Sequence, residues 1–114
     1  MSVLIVVLIG ALLIAIWYWV SILFDRIIKY HHDNYYEDWL SEGRPRGFFF
    51  VPENAKKIST GFTFYLYASK LRKELPHWAK EDNVAKNLIL RYFFWEKVWI
   101  ASIIIAIPAI VLVS

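Results

Sequence analysis

The sequence has no cysteine, which excludes disulfides, thiolate metal sites and cysteine nucleophiles and leaves the redox compartment unread. Glycine and proline number four each, and neither a phosphate-binding glycine loop nor a nucleophile motif is formed around them. Charge is missing from both ends: no Asp, Glu, Lys or Arg precedes Asp25, and none follows Lys97. The net charge of +3 is modest, with bases and acids interleaved, so the basic stripe of a nucleic-acid binder is lacking. No small-molecule substrate is evident from any motif.

A chain of 114 residues, 59% of them hydrophobic, holds one domain at most. Its apolar–polar–apolar order is a membrane signature. The first run, Val3 to Phe24, is about 22 residues, enough to cross a hydrocarbon core of roughly 30 Å. It contains the aromatic cluster Trp17, Tyr18 and Trp19, residue types that favour the membrane–water boundary. A cleaved signal peptide would need a basic start and a small-residue cleavage site. Met1-Ser2-Val3 has no base and the run ends in bulky residues, so a retained span is expected.

The second run begins near Trp95 and reaches Val113. Glu96 and Lys97 interrupt its start; counted from Trp95 it spans about 19 residues, enough for a thin bilayer. Trp95 and Trp99 flank the charges at the boundary, with Lys97 snorkelling between them. Pro108, near the far end, is expected to kink this helix mildly. The six tryptophans are read most simply as interface anchors. The expected fold is thus an all-α membrane protein: two transmembrane helices, 1–24 and 95–114, joined by a mainly helical, amphipathic cytoplasmic loop, 25–94.

Orientation follows from the bases. Arg26 and Lys29 follow the first span, while Lys86, Arg91 and Lys97 lead into the second. Both flanks belong to the loop, so the positive-inside rule puts the loop in the cytoplasm and both termini outside.

Within the loop, Ile27, Ile28, Tyr35 and Trp39 have helical spacing, which predicts an extension of the first helix to Leu40, closed by Gly43. Gly43-Arg44-Pro45-Arg46-Gly47 reads as a turn. Phe48, Phe49, Phe50 and Val51 form a short apolar piece, extended on the membrane surface or laid against the helices. Asn54 to Thr60 is loop-like. Gly61 to Leu75 predicts an amphipathic helix carrying Tyr65 and Tyr67, with Lys70, Arg72 and Lys73 turned to phosphates or water, stopped by Pro76. Asp82 or Asn83 can cap a last helix that runs from Val84 into the second span.

The candidate chemistry is thin. His31, His32 and His77 are the only imidazoles. His31 and His32 are adjacent and point about 100° apart on a helix, which forms no chelating pair. Pairing of His32 with Tyr36, or of His31 with Tyr35, is the simpler reading. Glu74 and His77 have the spacing of half a di-iron motif, but Pro76 breaks the helix it requires. No metal or cofactor is expected, and no catalytic residue is assigned. Neither span carries an ionisable group at its centre, where carriers need one. Gly10, Ala11 and Ala15, with Ser102, Ala106 and Ala109, suit either close helix approach or plain lipid contact.

Gly47-Phe48-Phe49-Phe50 and Phe64-Tyr65-Leu66-Tyr67-Ala68, with Asn54, Lys56 and Lys57 between them, resemble the universal stress protein B family from Gly47 to the C-terminus. The first half matches only in hydrophobicity. The resemblance implies a two-span bacterial inner-membrane protein with a stress-related role, and brings no catalytic residues.

The expected function is that of a non-catalytic accessory subunit in a larger respiratory, photosynthetic or other oxidoreductase membrane complex. Its contact set would be Phe48, Phe49, Phe50, Tyr65, Tyr67, Lys70, Arg72 and Lys73, with the lipid bilayer as second partner. The alternatives are a stand-alone stress protein acting at the lipid surface and a metal or haem binder using His31, His32 or His77.

Overall fold

The computed structural model describes residues 2–53, 55 and 61–113. Among them all regular structure is helical: α1 (Ser2–Asn34), α2 (Tyr36–Ser41), α3 (Gly61–Lys73) and α4 (Asn83–Val113). At 1.5 Å per residue, the 33 residues of α1 measure about 50 Å, close to the 54 Å long axis of the molecule. α1 and α4 run antiparallel, since Trp19 meets Trp95 and Phe24 meets Tyr92. Both are long and apolar enough to cross a membrane.

Neither long helix stops where its hydrophobic run stops. α1 continues past Phe24 because its buried stripe continues. Val20, Leu23, Phe24, Ile27, Ile28 and His31 recur at helical spacing and are all at least nine-tenths covered. α4 answers with Ala85, Ile89 and Tyr92, and α3 adds Ala68 and Leu71. The core therefore lies at the polar end of the hairpin. In the apolar halves burial is confined to one seam, where Ala106 is the buried member, while Leu4, Leu8, Ile104 and Leu112 are open.

The expected unbroken helix from Phe24 to Leu40 is corrected by a break at Tyr35, whose backbone (φ −137°, ψ 54°) leaves the helical region. Its hydroxyl donates to Asp82, 47 residues further on, so a distant partner draws this residue out of line. After α2, Gly43 (φ 94°) and Arg44 (φ 55°) are both left-handed. The Arg44 and Gly43 amides donate to the Trp39 and Leu40 carbonyls, a Schellman closure at the glycine the sequence picks out.

α3 ends before Pro76, and α4 starts one residue after Asp82. The Asp82 carboxylate accepts from the Val84 and Ala85 amides, as an N-cap does. α4 then runs unbroken through Pro108. Two of the six tryptophans depart from the interface reading: Trp39 and Trp78 are buried in the polar end. The Trp39 indole donates to the Pro45 carbonyl, so the ring's one polar atom is satisfied there. The expected Asn54–Thr60 loop lies, apart from Ala55, outside the described residues.

Candidate functional site

The polar end is a cap made by the upper turns of α1 and α4, by α2 and α3, and by the segment 43–53. Three carboxylates organise it, each serving as an acceptor that a distant stretch of chain must reach.

Asp25 is the first charged residue after the apolar run, and it is turned inward. Its Oδ1 accepts from the Phe48 amide at 2.6 Å, and its Oδ2 from Phe49 and Phe50 at 2.9 and 3.0 Å. Three successive amides forming a concave anion cradle are the backbone's way of holding a charge out of water. The run 48–51 is thus a turn wrapped on α1, which fits the second of the two placements expected for it. The wrapping brings Phe48 edge-on to Phe24 at 5.4 Å.

Asp82 receives the hydroxyls of Tyr30 (2.6 Å) and Tyr35 (2.5 Å) on the oxygen that does not cap α4. The Tyr30 and Tyr35 hydrogen bonds, joined by the α4 amides, hold its carboxyl down at about 2. Glu96, on α4, takes a bidentate grip from Arg72 of α3 at 2.8 and 2.5 Å and the Tyr92 hydroxyl at 2.7 Å.

His31 is fully buried and stacks on Trp78 at 4.2 Å between centroids and 8° between planes, in place of Tyr35. His32 does meet Tyr36, edge-on at 5.3 Å. The His31 Nε2 lies 2.8 Å from Asp38 and its Nδ1 3.2 Å from the Tyr67 hydroxyl. A carboxylate only accepts, so Nε2 carries the proton and Nδ1 accepts from Tyr67. Burial pushes the His31 pKa down against the opposing pull of Asp38, and burial raises that of Tyr67. Asp38 also meets His77 through its other oxygen at 2.5 Å. These contacts tie α1 to α2 and α3 through one imidazole.

A cleft of about 390 Å³ opens beside this imidazole, rimmed by Lys70, Lys73, Lys80, Glu42 and Glu74. Four of these charges are paired, Lys80 to Glu74 at 2.7 Å and Lys70 to Glu42 at 3.8 Å, while Lys73 forms no ion pair among the described residues. Among the described residues no group of three or more His, Cys, Asp or Glu is arranged to hold a metal ion.

Two of the expected boundary residues meet, while Trp17 turns to Phe48 and Phe49. Trp19 and Trp95 are edge-to-face at 6.3 Å, with Trp17 and Trp99 each within about one helical turn of them; Lys97 is exposed. The expected contact set divides. Phe48, Phe50 and Tyr67 pack against the core, and Arg72 is held by Glu96. Phe49, Tyr65, Lys70 and Lys73 remain on the surface. Gly10 is open, with nothing near the place of an added methyl, and Ala11 and Ala15 face outward. On α1 these small residues make no close approach to α4.

The residues missed by sequence reading are the two inward carboxylates, Asp25 and Glu96. A lone acid at the end of each hydrophobic run was the available signal.

The fold and cap together define an all-helical hairpin with two candidate spans and a self-bonded polar end. Comparison with protein-family models, characterised proteins and solved structures finds no match to the chain.

Proposed function

We propose that the chain is a two-span membrane protein with no chemistry of its own, acting as an accessory subunit of a larger membrane assembly. One observation carries this reading: the cap is closed on itself, while the spans are covered along one seam only. In the cap most aromatic rings and most carboxylates have internal partners, with Phe49 and Tyr65 left on the surface. In the spans Val7, Leu8, Ile14, Ile105 and Val111 are more than half exposed. Such faces suit lipid or the helices of a partner, and helices associate in a bilayer through packing of this kind.

In this reading the cap faces the cytoplasm and both termini face outward, in the inner membrane of a bacterium. The basic residues flanking both spans on the cap side support that orientation. A respiratory, photosynthetic or other oxidoreductase complex is the kind of host that needs small accessory spans.

The test is gentle detergent extraction of native membranes, separation on a native gel, and location of the chain by mass spectrometry. Comigration with a large complex is the expected result and identifies the host. Migration as a free monomer in the mildest detergents overturns the subunit reading. It would favour the second one, a stand-alone protein at the lipid surface with the stress-related role implied by the family resemblance. The exposed bases Arg26, Lys29, Arg91 and Lys97 support that second reading.

A further inference from the structure

Acids and bases are sorted at the end of the hairpin where the apolar runs finish. The two acids nearest that level, Asp25 and Glu96, are neutralised internally by three backbone amides and by Arg72 with Tyr92. The bases Arg26, Lys29, Arg91 and Lys97 are exposed, and none forms an ion pair among the described residues. In the rest of the cap Lys70 and Lys80 are matched with acids, while Arg44, Lys73 and Lys86 form no ion pair among the described residues. At the boundary, then, both acids are satisfied internally and four exposed bases are left without a counter-charge.

Two of these bases share a groove of about 240 Å³ between α1 and α4, lined by Arg26, Lys29, Tyr30, Asp33, Asn34 and Leu88. Arg26 and Lys29 are one turn apart on the same side of α1. Aromatic faces steady both: the Arg26 guanidinium lies 5.3 Å from the Trp19 ring centre and the Lys29 ammonium 5.9 Å from that of Phe50. Asp33, the one acid lining the groove, directs Oδ1 to His32 Nδ1 at 2.8 Å. Tyr30 has its hydroxyl committed to Asp82. What the groove offers a ligand is two cations against one carboxylate, with Leu88 as its apolar side chain, on the turns of α1 that follow the apolar run.

We propose that this groove seats the phosphate of an anionic phospholipid headgroup, with Arg26 and Lys29 as its ligands and the acyl chains lying along the open faces of the spans. The inference rests on the membrane-spanning reading, because only a bilayer presents a headgroup at that level.

The test uses the full chain in nanodiscs of phosphatidylcholine with a minor fraction of phosphatidylglycerol, released into neutral detergent and analysed by native mass spectrometry. The expected result is selective retention of phosphatidylglycerol. Arg26→Gln with Lys29→Gln should lower that selectivity about 25-fold, each surface base contributing roughly a factor of five. The charge-keeping pair Arg26→Lys with Lys29→Arg should retain it, as should Lys70→Gln with Lys73→Gln. Equal retention of the two lipids, or selectivity unchanged in the Gln pair, overturns the proposal. So does complete displacement by soluble glycerol phosphate, which would make the site one for a free phosphate ester. Alkaline carbonate extraction separates the two levels of failure. Release of the chain from membranes removes the spanning reading itself, whereas a retained chain without selectivity removes only the headgroup seat.

Discussion

Gly47 stands against Asp25 so closely that a methyl group on residue 47 would come within 2.7 Å of the Asp25 Cγ and nearer still to Oδ1. The carboxylate has little room to yield, because three amides fix it in place. Gly47→Ala should therefore open the turn. Asp25→Ala should do more, leaving three amides without their acceptor, at a cost of about 3 kcal/mol. Thermal unfolding in detergent measures both. An unchanged midpoint for Asp25→Ala would mean that the cradle adds nothing to the fold.

Asp82 makes the cap sensitive to acid. Its folded pKa, about 2, lies below the ordinary 3.8, chiefly through the Tyr30 and Tyr35 hydroxyls. A group with a depressed folded pKa stabilises the fold above its unfolded pKa, and that stability is lost as pH falls towards the folded value. Cap stability should drop between about pH 4 and pH 2, and Asp82→Asn should show a smaller drop across the same window. Melting curves at stepped pH check this; identical pH profiles for the two proteins would contradict it.

Arg72 and Glu96 tie α3 to α4 across 24 residues of sequence. Arg72 is partly exposed, so water screens the pair, and Arg72→Gln should cost only about 1 kcal/mol overall. Its local effect should be larger: hydrogen exchange in α3 should quicken while that of the spans stays unchanged. Uniform change along the chain would argue against a local tie.

Much of the helical plan is legible in the sequence because it depends on near neighbours. The cap of α4 at Asp82, the stop at Pro76 and the reversal at Gly43 all follow from local backbone preferences. The two helices long and apolar enough to cross a membrane follow from charge-free length. Long-range pairing is what remains hidden. Tyr35 leaves its helix for an acid 47 residues away, and no spacing within Phe24–Leu40 records that. Lys70, Arg72 and Lys73 look alike on one helix, yet Glu96 takes one of them into an ion pair. Phe48, Phe50 and Tyr67 read as contact residues for a partner because apolar rings in a polar loop look unpartnered. Their partners are Phe24, His32 and His31, at the end of the apolar run of α1 and on its extension.

The most direct test of the central claim, two spans with the cap on the cytoplasmic side, uses the absence of native cysteine, since one added thiol reports alone. Glu81→Cys places it in the cap, and Ser114→Cys places it one residue past α4. A membrane-impermeant maleimide applied to intact spheroplasts should label the Ser114→Cys protein at once. It should label the Glu81→Cys protein only after the membrane is opened. Labelling of Glu81→Cys in intact spheroplasts would contradict the account, because the cap would then lie outside or the helices would not cross at all.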